Sequence, residues 1–449
     1  MKNILIGKVE TDPLIHYGGL FNTLECLLFL SFVSYLIFIP FIREKRYKNF
    51  LFYISTLMPI LNIYYRNNHP FVGGVFLGHL LFIAGILLIS TLTITDFERV
   101  TAGNNFLSNR KLLLLSIIVV FLIRGVFLFG SRPTDSGIFS GAGAILYFQG
   151  SSMFRDYWGV ISIGSRYGPM LYLAYLPFVP IAYLTRTLLW GDALTQWNSI
   201  SDVPLAVATS YTGALFYEGL ILFLLIKSFK NFGYYAALFY LLNPINSLIL
   251  SVNANELPQT AFFILGIYLL KRPLWSSIFF VFSSLMKIYP IILAPIYSLA
   301  LKKDKMISFL LSLTLLFTAG FIYWLYESSL APLELRTNPI RDVFLYQKDP
   351  GIYHSLWYFT DIILGRHFTY LILFFVVLNI LIYAILLFLR ERGRSFLTQK
   401  ITILILALVI ILNQSPHPGY YYFIYTLLTY LFFEYQEENR HISTESNQS

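Results

Sequence analysis

The sequence predicts an all-α fold, a polytopic bundle of roughly 12 to 14 transmembrane helices. Hydrophobic residues make up 57% of the chain and charged residues only 12%, and the mean hydropathy is +0.66. Soluble domains average about 25% charged residues, so lipid must cover much of the apolar surface. Apolar stretches also recur, as at residues 20–42, 71–92 and 112–129. Each has about the 20 residues that a spanning helix needs.

The spans are expected to form one membrane domain, residues 1–435, followed by a polar cytoplasmic tail, residues 436–449. A single cysteine, Cys26, excludes an internal disulfide. The net charge of +9 would fit a nucleic-acid partner, but the basic residues lie mostly in short loops between the spans. That distribution is typical of membrane topology, so we expect the lipid bilayer and no nucleic acid as a partner.

Lysine and arginine accumulate in cytoplasmic loops, and this bias assigns a side to each short loop. The basic clusters are therefore placed inside, at residues 43–48, 99–111, 227–230, 271–272, 302–305 and 390–394. Clusters of other polar residues then fall outside, at residues 131–167, 253–256, 287, 327–366 and 413–419. We expect a multi-pass protein of the plasma membrane with its polar clusters, including the long loops 131–167 and 327–366, on the extracytoplasmic side.

Three segments between the charged loops have predictable local structure. The apolar patch at residues 138–148, in the first long external loop, predicts an amphipathic helix lying in the membrane interface. Residues 271–305 are too long for one span and are interrupted at Lys287, which predicts a hairpin of two short helices with Lys287 at its outer tip. Residues 168–190 are broken by internal prolines and must cross the membrane zero times or twice, as an interfacial segment or a bent hairpin.

The first external cluster contains Asp135, directly after a predicted span. A carboxylate at the rim of a helix bundle can act as a general base that deprotonates an attacking hydroxyl. Asp135 can also cap the following helix, because aspartate there satisfies free backbone N–H groups. Arg155, Asp156, Arg166 and Tyr167 follow in the same loop, and Asp156 is the competing acid. The residues alone leave both roles of Asp135 open.

Lys287 lies between two apolar runs. An ammonium this close to hydrocarbon costs about 3 kcal/mol on insertion scales unless it finds an anion or water. A phosphate of a lipid-linked substrate would be such an anion. An internal acid would serve equally well, and Glu256, which follows Asn255 in another external cluster, is the candidate. Both partners are open from the sequence.

Two histidines, His354 and His417, and two arginines, Arg336 and Arg341, lie in the later external segments. Two histidines and a carboxylate can bind zinc, but no histidine pair here has ligand spacing, so we expect no metal. The arginines could clamp a phosphate through paired hydrogen bonds, although most arginines in loops are simply solvated.

Together these clusters resemble the motifs of the polytopic glycosyltransferases of the type C (GT-C) superfamily. The closest resemblance is to the polyprenyl-phosphate-mannose-dependent α-mannosyltransferases. The matching segments, in chain order, are Arg132 to Asp135 with Gly150, Phe154 and Tyr167-Gly168-Pro169; Asn243-Pro244 with residues 253–256; Met286-Lys287-Ile288-Tyr289-Pro290; Tyr353-His354-Ser355-Leu356; and residues 413–420. Three departures are Gly168-Pro169 in place of a double proline, His354 where glutamine is common, and no Asp-x-Asp around Asp135.

The resemblance implies that a hexose, with mannose favoured, passes from a polyprenyl-phosphate donor to a lipid or glycan acceptor on the extracytoplasmic face, with inversion. Asp135 would be the catalytic base, and no metal or other cofactor would be needed. The resemblance implies these donor-phosphate or substrate-binding residues: Lys287, His354, Arg155, Asp156, Arg166, Tyr167, Asn255, Glu256, Tyr289, Arg336, Arg341 and His417.

Three alternatives are compatible with the same composition. A transporter or flippase of lipid-linked sugars would also place polar groups within spans. Against it, the polar clusters gather on one face instead of at the bilayer midplane, and no inverted repeat is visible. A ligase or polymerase of lipid-linked sugars would share the fold but use a lipid diphosphate donor. A purely structural membrane protein is a third alternative.

Overall fold

The computed structural model describes only part of the chain. The described residues are 109–130, 135–154, 156–157, 161–162, 167–185, 203–243, 246, 256–330, 378–382, 384–385, 388, 397–412 and 418–446. The predicted spans at residues 20–42 and 71–92 lie outside them. Within the described ranges the chain is helical apart from one very short β-hairpin. The predicted all-α class is therefore confirmed for this part of the protein.

The helices have these bounds: α1 Arg110–Gly130, α2 Asp135–Phe148, α3 Pro169–Tyr175, α4 Val179–Thr185, α5 Val203–Ser228, α6 Gly233–Leu242, α7 Glu256–Tyr268, α8 Pro273–Ser284, α9 Pro290–Leu293, α10 Lys303–Ser329, α11 Leu397–Leu412 and α12 Pro418–Ser446. Two 3-10 helices, Leu176–Phe178 and Ala294–Ala300, join α3 to α4 and continue α9. The hairpin pairs β1 (Asp156–Tyr157) with β2 (Ile161–Ser162) in antiparallel register.

Two of the described helices are long and apolar enough to cross a membrane. They are Leu205–Ser228 within α5 and Lys303–Ser329, which is α10. Shorter apolar helices accompany them, at Gly137–Phe148, Pro169–Leu184, Gly233–Leu242, Pro273–Ser284, Pro290–Ala300 and Leu397–Leu406. Length and composition thus indicate membrane association.

Helix α10 presents an apolar face that other described residues leave uncovered. Leu311, Leu315 and Ile322 are 60%, 69% and 60% exposed, and their spacing places them on one side of the helix. Helix α1 has a similar exposed row that includes Leu122 and Val126. Soluble monomers rarely expose contiguous apolar patches of this kind, which mark interaction sites or contact with lipid.

Helix α2 falls where the interfacial helix was predicted, but the expectation of an amphipathic helix is wrong. Its residues from Ser140 to Leu146 are buried in succession, so the described side chains, residues 137–148, turn no polar face outward. The helix packs against α5, and a Cβ at Gly141 would lie 2.0 Å from the carbonyl oxygen of Ala206. Glycine permits this close approach. Ala206 is distant from Gly141 in the sequence, so the contact could not be read from the local pattern.

The segment after Gly168 is a single bent helical run. Helix α3, the 3-10 turn and α4 follow one another from Pro169 to Thr185, so this run contains no hairpin turn. It packs along α5, where the aromatic rings of Tyr175 and Phe178 contact Tyr217. Of the two predicted alternatives, the bent hairpin does not occur within residues 169–185.

Helices α8 and α9 form the predicted hairpin. Helix α8 ends at Ser284, the chain turns through residues 285–289, and α9 with its 3-10 extension returns alongside. The Phe280 ring on one arm stacks on the Tyr297 ring on the other, with centroids 5.6 Å apart. Lys287 lies in the turn, as predicted.

The last helix continues through much of the predicted tail. Helix α12 runs to Ser446, and Glu437 accepts hydrogen bonds from the backbone and side-chain nitrogens of Asn231. Gln399, at the start of α11, donates to Glu438, and burial raises the pKa of that carboxyl. These contacts bring together the turn after α5, the start of α11 and the predicted tail within α12, which lie in or next to regions that the charge pattern assigns to the cytoplasmic side.

Candidate functional site

Three segments far apart in the sequence meet at one site. Glu256, the first residue of α7, forms an ion pair with Lys287 in the turn after α8. The two side chains are 5% and 10% exposed, so the pair is largely removed from water. The Lys287 Nζ also lies 5.3 Å from the centre of the Tyr167 ring, just before α3. Of the two partners that the sequence allowed for Lys287, the structure shows the internal acid.

The backbone around Gly168 holds these segments in contact. The Gly168 N–H donates to the carbonyl oxygen of Met286 at 3.1 Å. A Cβ at position 168 would lie 1.6 Å from the carbonyl oxygen of Leu285, so only glycine fits. A proline here would lack the N–H and would collide with this carbonyl. This contact accounts for the glycine that replaces a double proline, while Pro169 begins α3 at a position where proline is favourable.

Gln259 and Tyr289 extend the site by one helical turn. The Tyr289 hydroxyl donates to Gln259 Oε1 at 3.0 Å. The Ser283 hydroxyl donates to the backbone carbonyl oxygen of Gln259 at 2.8 Å, and this hydrogen bond joins α8 to α7. The Phe423 ring of α12 packs edge-on against Tyr289, with centroids 5.2 Å apart. Residues from four separate segments therefore support the turn that carries Lys287.

The Glu256–Lys287 pair is expected to add little net stability to the fold. Removing two charges from water costs several kcal/mol per ion, which their attraction offsets only with good geometry. Removing one partner leaves an uncompensated buried charge, at a cost of about 3 to 5 kcal/mol. Lys287 has three N–H donors, so it can hold Glu256 and still donate to a second anion.

The structure brings together four of the predicted site residues, namely Tyr167, Glu256, Lys287 and Tyr289. Asp135 is the first residue of α2, and Asp156 begins β1 opposite Ser162, but only their backbone is described. The remaining predicted site residues lie outside the described ranges: Arg155, Arg166, Asn255, Arg336, Arg341, His354 and His417.

A second charged pair was not anticipated from the sequence. Arg124 Nη2 lies 2.7 Å from Glu218 Oε1, and the two side chains are 1% and 0% exposed. Arg124 sits in the apolar run of α1 and Glu218 in that of α5. A charged residue within a spanning segment is itself a signal of a buried partner, and it could have been used here.

The Arg124 side chain joins three helices. Its Nη1 donates to the Leu241 carbonyl at 2.8 Å, and its guanidinium lies 5.5 Å from the centre of the Tyr240 ring. Leu241 is in the last turn of α6, where carbonyls lack helical partners and a cation is favourable. The Tyr240 and Tyr422 hydroxyls hydrogen-bond to each other, which connects the cluster to α12.

Among the described residues, no group of three or more histidine, cysteine, aspartate or glutamate side chains is placed to hold a metal ion. Comparison with known proteins adds no relative. The chain matches no family model, no curated protein and no solved structure at a significant level.

Proposed function

We propose that this protein is a multi-pass membrane glycosyltransferase of the type C kind. It transfers a hexose, with mannose favoured, from a polyprenyl-phosphate donor to a lipid or glycan acceptor on the extracytoplasmic face, with inversion. The observation that carries the proposal is the meeting of Tyr167, Glu256 and Lys287. These residues come from three separate motifs of the resembling family, and their convergence is what a shared site requires.

Contacts within the described part agree with the proposed topology. Tyr167, Glu256 and Lys287, all assigned outside, lie together. Asn231, next to the basic cluster 227–230 that is assigned inside, contacts Glu437 of the predicted cytoplasmic tail. The exposed apolar faces of α1 and α10 supply the surface that lipid would cover. A bilayer would also hold the lipid tail of the donor between helices.

In the proposed reaction the acceptor hydroxyl attacks the anomeric carbon of the sugar. A bond forms between that oxygen and the carbon, and the bond from the carbon to the phosphate oxygen breaks. Polyprenyl phosphate leaves with the electron pair, and Asp135 takes the hydroxyl proton. Lys287 stabilises charge on the leaving phosphate, and such electrostatic stabilisation is usually the largest single contribution to catalysis.

The Arg124–Glu218 pair is the observation that favours the second candidate, a transporter or flippase of lipid-linked sugars. Ionisable residues inside spans commonly mark substrate or ion paths. Here both side chains are almost fully enclosed by protein, at 1% and 0% exposure, and Arg124 is tied to the end of α6. Such packing fits a fixed structural contact better than the wall of a path.

The donor-phosphate role of Lys287 can be tested by ligand binding. In the variant Lys287→Met combined with Glu256→Gln, no buried charge is left unpaired, so the fold should survive. The affinity for farnesyl phosphate should fall by about tenfold or more, because a hydrogen bond to a charged group contributes about 1.5 to 3 kcal/mol. Isothermal titration calorimetry in nanodiscs measures this affinity.

Lys271→Met is the matched control, because Lys271 is exposed and lies at the opposite end of α8. Its removal deletes a lysine at the far end of the same helix and should leave the affinity unchanged. Equal losses in both variants would show that the loss of affinity is not specific to Lys287. Absence of farnesyl phosphate binding by the wild-type protein would contradict the proposed donor class.

A further inference from the structure

Two buried polar atoms beside the Glu256–Lys287 pair have no protein partner among the described residues. They are Glu256 Oε2 and Gln259 Nε2, on side chains of residues that are 4% and 0% exposed. The second polar atom of each side chain has a partner, since Glu256 Oε1 pairs with Lys287 and Gln259 Oε1 accepts from Tyr289. In each side chain, one polar atom therefore bonds to a neighbouring residue of the site, and the second polar atom can bind a ligand.

Buried polar atoms of this kind call for a partner. Roughly 90% or more of buried backbone polar groups, and most buried side-chain ones, are hydrogen-bonded, and leaving one unsatisfied costs about 1 to 3 kcal/mol. Glu256 and Gln259 are three residues apart on α7, so they are neighbours on one face of the helix. The site therefore offers one acceptor and one donor side by side.

The chemistry of the two atoms restricts the ligand. A phosphate would suit the Gln259 amide, but the Glu256 carboxylate would repel it. An ammonium would suit Glu256 but could not accept from Gln259. A hydroxyl both donates and accepts, so a pair of neighbouring hydroxyls satisfies both atoms.

We propose that Glu256 Oε2 and Gln259 Nε2 bind neighbouring hydroxyls of the donor's sugar ring, while Lys287 binds the adjoining phosphate. This subsite rests on the proposed polyprenyl-phosphate donor. The Tyr167 and Tyr289 rings lie at the same site and provide the apolar, aromatic surface that accompanies a few oriented polar groups in small-molecule sites.

Two variants of Gln259 test the subsite, and both remove the side-chain N–H donor. Gln259→Glu keeps an acceptor for the Tyr289 hydroxyl, whereas Gln259→Met removes that acceptor as well. Ser283→Ala is the control, because it removes the hydrogen bond from α8 to the Gln259 carbonyl and leaves the side-chain amide in place. Affinities for farnesyl phosphate and for farnesyl phosphate mannose and glucose are measured by titration calorimetry in nanodiscs.

The wild-type protein should bind at least one sugar-bearing lipid about tenfold more tightly than farnesyl phosphate. Both Gln259 variants should lose this preference, and Ser283→Ala should keep it. Retention of the preference in a folded Gln259 variant would overturn the sugar subsite. Wild-type binding of farnesyl phosphate without any preference would also overturn it, yet leave the donor class intact. Failure to bind any of these lipids would instead contradict the proposed function.

A measurement on the wild-type protein alone covers the case in which the Gln259 variants do not fold. Farnesyl phosphate sugars that lack one hydroxyl at a time are compared with the parent compound. At least one deoxy analogue should bind about tenfold more weakly, because it leaves a buried group of the site unpaired. Equal affinity for every analogue would overturn the subsite.

Discussion

Replacing Asp135 by asparagine is expected to lower the rate of sugar transfer by about two orders of magnitude or more, the usual contribution of general-base catalysis. The helix α2 begins at Asp135, so a capping role is the competing explanation. Asparagine caps a helix about as well as aspartate but cannot take up a proton at neutral pH. The folded variant should therefore keep the melting temperature of the wild-type protein while its turnover falls.

Asp156→Asn is the matched control, because Asp156 is the other acid within residues 131–167 and begins β1. Both variants are assayed with a synthetic lipid-phosphate sugar and a panel of acceptors. Near-normal transfer by the Asp135 variant together with an inactive Asp156 variant would move the catalytic base to Asp156. Unchanged transfer by both variants would contradict the glycosyltransferase mechanism itself.

Removal of either partner of the Arg124–Glu218 pair should cause the largest loss of stability. The variants Arg124→Met and Glu218→Leu each leave a buried, unpaired charge, which costs about 3 to 5 kcal/mol. The pair lies among helices α1, α5 and α6, so this loss should affect global unfolding and not one local segment. The free energy of unfolding in mixed micelles measures the effect.

The double variant Arg124→Met with Glu218→Leu completes the cycle. It removes both charges together and should recover most of the lost stability, because apolar replacements of a buried pair are often neutral or stabilising. Recovery should be incomplete, since the Leu241 carbonyl loses its hydrogen bond from Arg124. A double variant whose loss equals the sum of the single losses would show that the two charges do not interact.

Local sequence patterns predicted the features that depend on short-range physics. The interruption of an apolar run at Lys287 indicated the hairpin of α8 and α9, because a charged residue cannot lie inside a continuous span at low cost. The same cost required a partner for Lys287, and Glu256 was one of the two that could be named. The pairing itself needed the structure, because α7 and the turn after α8 are brought together by tertiary packing.

Features that depend on packing between distant segments were not predictable in the same way. Residues 138–148 predicted an amphipathic helix in the membrane interface, but the helix is buried against α5, where Gly141 lies close to Ala206. The glycine at position 168 was only a departure from a family pattern until its approach to Leu285 was known. The Arg124–Glu218 pair did carry a local signal, a charge within each of two apolar runs.

The catalytic residues of the proposed site could not be compared with the structure in this way. The residues expected to act on the acceptor and on the leaving group, Asp135 and His354, stay predictions, because the side chain of the first and the whole of the second lie outside the described residues. What the structure contributes is the meeting of Tyr167, Glu256, Lys287 and Tyr289, the residues that we propose bind the donor.

Transfer by the wild-type protein is the most direct measurement of the central proposal. The purified protein, reconstituted in liposomes, is incubated with polyprenyl phosphate mannose labelled in the sugar and with a membrane lipid extract as acceptor. Label should move to an acceptor with inverted anomeric configuration, and polyprenyl phosphate should be released in equal amount. If the donor instead stays chemically intact and only changes leaflet, the protein is a transporter and the glycosyltransferase proposal is contradicted.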